Sequence, residues 1–164
     1  MNRYFRHIVL SSIVVLAAFA SVVSTQGCKS KCGTTTCQNG GACTSDSCVC
    51  TTGYSGKSCE TLWTTAYLGS YTCTQACTPT IGSTSWQSTI TAGTTNGSYT
   101  LSISNFGNFQ AAATAVVDGN GNVTVSGTNI AGNGTFANNV LSIHYTTSTN
   151  NVPGYTCSLT MTKN

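Results

Sequence analysis

Six of the chain's ten cysteines, Cys32, Cys37, Cys43, Cys48, Cys50 and Cys59, follow one another as C-x4-C-x5-C-x4-C-x-C-x8-C. Between the first and the last of them the only branched aliphatic side chain is Val49 and the only aromatic one is Tyr54. A segment of about thirty residues with so little apolar surface cannot fold by burying it, so cross-links or a metal must hold it. Which of the two applies depends on the compartment: the same cysteines are thiolates in a reducing cytosol and disulfides outside it.

The N-terminus points outside. Residues 1–7 carry Arg3 and Arg6 with no acid, and 8–23 are apolar apart from Ser11, Ser12 and Ser21. A basic start, an apolar stretch and then small residues read as an export signal. A run of about twenty apolar residues can also cross a bilayer, so a retained anchor is the alternative. Two cleavage points compete, Ala18-Phe19-Ala20 and Gly27-Cys28. The second, closing "STQGC", resembles the lipobox of bacterial lipoproteins in the relaxed form used by Bacteroidetes, with Thr25 and Gln26 in place of the usual aliphatic and small residues. The resemblance implies a signal over 1–27, lipid attachment at Cys28 and a tether over 28–31. Otherwise the chain is secreted in soluble form.

In an exported chain the cysteine spacing resembles an EGF-like domain over 32–59. Asn39-Gly40-Gly41 before the third cysteine and Gly53-Tyr54-Ser55-Gly56 before the sixth strengthen the likeness. Spacing alone leaves fifteen connectivities for six cysteines. The resemblance implies one set: Cys32 with Cys43, Cys37 with Cys48, and Cys50 with Cys59. Zinc and thioredoxin-type redox chemistry are not expected, because the chain has no C-x2-C pair. Calcium is not expected either. The positions where calcium-binding EGF-like domains carry acidic or amide groups are Lys29-Ser30-Lys31 and Thr44-Ser45-Asp46-Ser47, and a hard cation wants more negative charge than that.

Beyond Glu60 the composition shifts to Thr, Ser, Asn and Gly with alternating aliphatics. Tyr99, Leu101 and Ile103 alternate with Thr100, Ser102 and Ser104; Leu141, Ile143 and Tyr145 repeat the pattern, as do Tyr155, Cys157, Leu159 and Met161. A period of two means strands with one buried face. Turn signals separate them: Asn96-Gly97, Asp118-Gly119-Asn120-Gly121, Gly132-Asn133-Gly134, Asn138-Asn139 and Pro153-Gly154. The expected strands lie near 67–77, 85–92, 97–104, 109–117, 122–127, 130–136, 139–147 and 154–162. No helical period is visible. The chain is therefore expected to be mainly β: a small disulfide-rich module followed, over 62–164, by an antiparallel meander of about eight strands. Eight is the number at which a meander closes into a small barrel and loses its edges. Gly69 and Tyr71 in "YLGSY" are similar to the glycine-x-aromatic opening of lipocalin-type barrels. The whole arrangement resembles a group of uncharacterised Bacteroidetes lipoproteins, which implies architecture and location but no activity.

Three cysteines remain. Cys73 and Cys77 share the parity of Tyr71, and Cys157 lies on the apolar face of the last strand, so all three should point inward. Closure makes the first and last strands neighbours, and Cys77 with Cys157 is the preferred seam bridge, leaving Cys73 as a buried thiol. A rival scheme joins Cys28 to Cys73.

Catalytic chemistry finds little material. The chain has three acids, Asp46, Glu60 and Asp118, and two histidines, of which His7 lies in the signal. Paired carboxylates for glycoside hydrolysis are absent from the β domain, and a Ser-His-Asp set would have to bring His144 to Asp118. His144 has the parity of the polar face, so an exposed histidine is expected. No catalytic residue, metal site or cofactor is assigned. The motifs beginning at Asn96, Asn122 and Asn133 match N-glycosylation acceptors, and in a bacterium read as turn residues. Trp63, Trp86, Phe106 and Phe109 are expected in the core or at the barrel mouth. Loss of Arg3 and Arg6 with the signal leaves four lysines against three acids, a net charge of +1, which supplies no basic patch for nucleic acid.

The leading expectation is a non-enzymatic lipoprotein of the bacterial cell envelope, with the EGF-like module as stalk or protein-contact surface. Its partners would be the membrane, through the lipid, and an unidentified protein or glycan. The basic Lys29-Ser30-Lys31 after Cys28 favours a periplasm-facing anchor. The alternatives are small-ligand or glycan binding in the barrel, and a secreted eukaryotic EGF-type ligand or adhesion protein.

Overall fold

The computed structural model describes residues 31–81, 85–95, 99–108, 111–149 and 152–164. The signal, Cys28, most of the tether, the turn at Asn96-Gly97 and Phe109 lie outside the described residues.

The alternation along the chain becomes eight long strands: β7 (Gly69–Thr78), β8 (Trp86–Ala92), β9 (Thr100–Phe106), β10 (Ala111–Val117), β11 (Asn122–Gly127), β12 (Ile130–Ala137), β13 (Val140–Thr149) and β14 (Val152–Lys163). Before them come six short strands: β1 (Lys31–Cys32), β2 (Thr35–Thr36), β3 (Ala42–Thr44), β4 (Ser47–Val49), β5 (Tyr54–Ser55) and β6 (Thr61–Leu62). The eight long strands pair antiparallel in sequence order, and β14 returns to β7, so the sheet is a closed barrel with no free edge.

Inward positions form one continuous core. Tyr71, Leu101, Ile103, Leu141, Ile143, Tyr145, Leu159 and Met161 are all buried to 2 % exposure or less. Outward positions on the same strands are mostly Thr and Ser, as in Thr74, Ser142, Ser158 and Thr160. This is apolar-in and polar-out, the reverse of a lipid-facing barrel wall. Among the described residues no helix is long and apolar enough to cross a membrane.

Two departures from simple alternation have local causes. Phe106 has the parity of the polar face of β9, yet it is 1 % exposed. Ile103 pairs with Ala113 and Phe106 with Ala111, so β9 carries one extra residue there, and Asn105 adopts φ +47° to accommodate it. The bulge flips the parity and turns the Phe106 ring inward, edge-on to Tyr145 at 4.8 Å. The second departure corrects the reading of Gly132-Asn133-Gly134 as turn punctuation: it lies inside β12, paired on both sides. The two glycines occupy inward positions without room for a side chain. A Cβ on Gly132 would sit 2.5 Å from both the His144 carbonyl and the Tyr145 Cβ, and one on Gly134 would meet the Ser142 carbonyl and Ile143. The turns at Asp118 to Gly121 and Asn138-Asn139 are true hairpins, with Asn138 and Asn139 at φ +51° and +63°.

The disulfide-rich region is held by three bridges, Cys32–Cys43, Cys37–Cys48 and Cys50–Cys59, with sequence separations of 11, 11 and 9. Cys32, Cys37 and Cys59 are buried to 4 % or less, so the sulfurs serve as the region's core. Chain direction then reverses. Thr61 and Leu62 pair back onto Ser55 and Tyr54, and the Trp63 amide donates to the Gly53 carbonyl at 3.0 Å. The next five residues, Trp63–Tyr67, form a short 3-10 helix with no period the sequence could reveal. Its Tyr67 is 3 % exposed and packs on Phe136 at 4.5 Å, and its Tyr67 carbonyl accepts from the Tyr71 phenol at 2.6 Å. Lys163 Nζ donates to the Ala66 carbonyl at 2.8 Å. The helix thus closes the barrel end from which β7 departs, without an intervening linker.

Candidate functional site

Where the disulfide-rich region meets the closed end of the barrel there is a cleft of about 400 Å³. It is built by four pieces of backbone. The hairpin β5–β6 brings Ser55, Thr61 and Leu62; the 3-10 helix brings Trp63, Thr65, Ala66 and Tyr67; the β10–β11 turn brings Asp118, Gly119 and Gly121; β12 brings Phe136. Trp63 is half-buried, and its six-membered ring lies over Gly119, where an added Cβ would approach Cζ2 at 3.1 Å. A side chain at that turn would therefore lift the indole. Leu62, 37 % exposed, is one of three large apolar side chains left open to solvent among the described residues.

Asp118 holds the rim. Its Oδ1 accepts from the Asn120 and Asn122 amides at 2.8 and 2.9 Å, and its Oδ2 from Asn122 Nδ2 at 2.7 Å. Those donors, the Asn122 side chain first, hold the carboxyl below the usual aspartate value. The group is a fixed anion at neutral pH. It also contributes, after burial, to raising the Tyr67 phenol above its ordinary value.

A second depression, of about 500 Å³, lies on the outer wall over β11 to β14 and includes Thr124, Asn133, His144 and Thr156. Beside it the Ser158 hydroxyl lies 3.0 Å from Nδ1 of His144, which lines the depression. The contact has nucleophile–base spacing, but both groups are exposed directly opposite each other on adjacent strands. Flanking amides are taken up by the β12–β13 and β13–β14 ladders, so the wall offers no pair of free donors for an oxyanion. Asp118 lies in the β10–β11 turn, where its carboxylate is hydrogen-bonded, and is not among the residues of this depression. The pair is a cross-strand hydrogen bond.

The remaining residues singled out in the sequence fall as follows. Cys77 is bonded to Cys157, directly opposite it across the β7–β14 seam, and Cys73 is a free buried thiol that burial pushes up to about 11. The sulfurs of Cys32, Cys37 and Cys48 lie within 4.8 Å of one another, a metal-like grouping, but each is already in a disulfide and has no thiolate to offer. Trp86 is buried, its Nε1 donating to the Asn105 carbonyl at 2.9 Å. Sequence reasoning passed over Tyr67 and Phe136, which shape the cleft, and Gln75, a buried amide inside the barrel. Gln75 does stand at an inward parity position of β7, and that was the available signal. Comparison with models of known protein families, with curated proteins and with solved structures finds no match to this chain.

Proposed function

We propose that the chain is a non-enzymatic lipoprotein of a bacterial cell envelope, in which an EGF-like module anchored through Cys28 carries a small β-barrel resembling the lipocalin type. The observation that carries the reading is how the barrel interior is used. Tyr71, Tyr145, Phe106, Leu101, Leu141 and Met161 fill it with side chains at 2 % exposure or less, which supports a packed body over a barrel that holds a ligand inside. Four disulfides fit an oxidising compartment. Between Cys28 and Cys32 stand only Lys29, Ser30 and Lys31. Four residue steps reach at most about 14 Å, so an acyl anchor at Cys28 would hold the module close to the lipid headgroups. The continuous path from β6 into the 3-10 helix makes it a stiff spacer, and its exposed loops are the surface for a protein or glycan partner.

Intact-mass measurement of the exported protein tests this. A diacyl or triacyl adduct on a chain beginning at Cys28 supports the lipoprotein reading, and an unmodified N-terminus at Ser21 overturns it in favour of a secreted protein. The basic tether predicts a periplasm-facing anchor, which release of the barrel by protease shaving of intact cells would refute.

A further inference from the structure

We propose that the cleft between the disulfide-rich region and the barrel end binds a neutral pyranose ring of a glycan, stacked on Trp63 beside Leu62 and hydrogen-bonded to Asp118. Among the described residues Asp118 is the one charged side chain in its lining, and no lysine or arginine stands there to receive a phosphate, sulfate or carboxylate. Anionic ligands are therefore disfavoured. A wholly apolar ligand is disfavoured too, because it would strip water from a fixed carboxylate without replacing its hydrogen bonds.

What the cleft offers is an apolar floor with polar edges. Trp63 is one of only two tryptophans in the chain, and unlike Trp86 it is not buried in the core. Its ring is held in place by the Gly119 turn against which it lies. Leu62 extends the floor, open to solvent. Around it stand the hydroxyls of Ser55, Thr61 and Thr65, each able to donate and accept. Asp118 lines the cleft, and its Oδ2 takes one hydrogen bond from Asn122 Nδ2 and keeps further acceptor capacity. A sugar ring has one face of C–H groups and a rim of hydroxyls that both give and take hydrogen bonds, and it matches floor and rim together. A quaternary ammonium would need several open aromatic faces around it. Here Tyr67 and Phe136 pack on each other at 4.5 Å and leave Trp63 as a platform, not a cage. The size, about 400 Å³, is at the small end of ligand sites and suits one or two rings of a longer glycan.

The test uses the exported full-length protein with its disulfides formed. Because Trp86 is buried, tryptophan emission on titration reports Trp63. The probes are neutral oligosaccharides of glucose, mannose, galactose and N-acetylglucosamine, with choline chloride and an oligogalacturonate as the cationic and anionic arms. A saturable emission change with at least one neutral oligosaccharide, at concentrations up to the order of 10 mM, is expected. Calorimetry should then show binding weakened about 10-fold by Asp118→Asn, which keeps an acceptor for the turn amides but loses the charge-assisted bond. Trp63→Leu should abolish it, with a lowered melting temperature but a retained β circular dichroism, because Trp63 also packs against the core. No saturable response to any neutral probe overturns the proposal. So does a response to choline or oligogalacturonate alone, or sugar binding that both variants retain. If Trp63→Leu fails to fold, Asp118→Asn decides.

Discussion

The Tyr145 phenol donates to Gln75 Oε1 at 2.6 Å across the barrel interior, between residues 70 positions apart in the chain. Gln75 Nε2 continues the line, donating to the Gly107 carbonyl at 3.1 Å. A side-chain amide in an apolar core is tolerated because its oxygen and nitrogen each have a partner. Changing Gln75 to Leu would strand both the phenol and the carbonyl and should lower stability by about 1–3 kcal/mol. Tyr145→Phe should cost about 1–2 kcal/mol by leaving Oε1 unpaired. In urea titrations the double variant should lose less than the sum, since the two share one bond. Strict additivity would show that the contact does not couple them.

Alkaline pH should unfold the barrel before it affects the module's bridges. Burial pushes the Cys73 thiol from 9.0 to about 11, against a smaller opposing hydrogen bond from Ser88. Burial also pushes the Tyr71 and Tyr145 phenols from 10.0 to about 12, helped at Tyr71 by Tyr67. Each group is held protonated more tightly in the fold than in the unfolded chain. Its contribution is complete below the unfolded value and is lost as pH rises toward the folded one. The urea midpoint should therefore be level around neutrality, begin to fall near pH 9 and fall steeply between 10 and 12. Cys73→Ala should delay the onset. A midpoint that is unchanged at pH 12 would contradict the burial of these groups.

Reductant should separate the two halves. Bridges spanning 9 and 11 residues contribute about 2.5–3 kcal/mol each in a region with no other core, so 32–59 should lose its amide-exchange protection. The barrel has its own apolar interior and should keep its β circular dichroism with a lower melting temperature. Cys77→Ser and Cys157→Ser should each cost up to about 4.5 kcal/mol, for a bridge spanning 80 residues. Cys73→Ala, which trims one buried sulfur, should cost about 1 kcal/mol. Equal losses at all three positions would mean that the bridge contributes no more than packing does.

Glycine at 134 should be close to irreplaceable. Gly134→Ala must push its methyl into the Ser142 carbonyl and Ile143, which are backbone and core and cannot swing away. The expected loss is about 1–3 kcal/mol or more in chemical denaturation. Gly33→Ala has open space around it and should cost only the left-handed backbone strain of φ +60°, about 1–2 kcal/mol, with no packing clash added. A tolerant position 134 would mean that β12 and β13 stand further apart than described.

Those glycines also mark where the sequence stops being readable. Alternation in β7, β13 and β14 exposes their inward sets to inspection, because a period of two is a property of each strand alone. Gly132 and Gly134 are inward because of Tyr145 and Ile143 on the next strand, a relation that no local window contains. Phe106 follows the same logic, since its direction is set by a bulge that appears only when β9 is laid against β10. The 3-10 helix is too short for periodicity to announce it, yet it supplies Trp63 and Tyr67 to the cleft. The cysteine spacing was legible as a staple; the cleft beside it was not, because its parts come from four segments between residues 55 and 136.

Pairing of β7 with β14 ties closure to the last strand of the barrel: nothing can seal the seam until residues 152–163 have been made. Until then Cys73 and Cys77 are two equivalent thiols, four residues apart and facing the same way, and either can capture Cys157. Strand register alone distinguishes them, setting Cys77 opposite Cys157 and Cys73 opposite Met161. An oxidant acting ahead of register would trap a slipped barrel, so a cell that makes this protein must let the sheet form before the sulfur does, or carry an isomerase to undo the error.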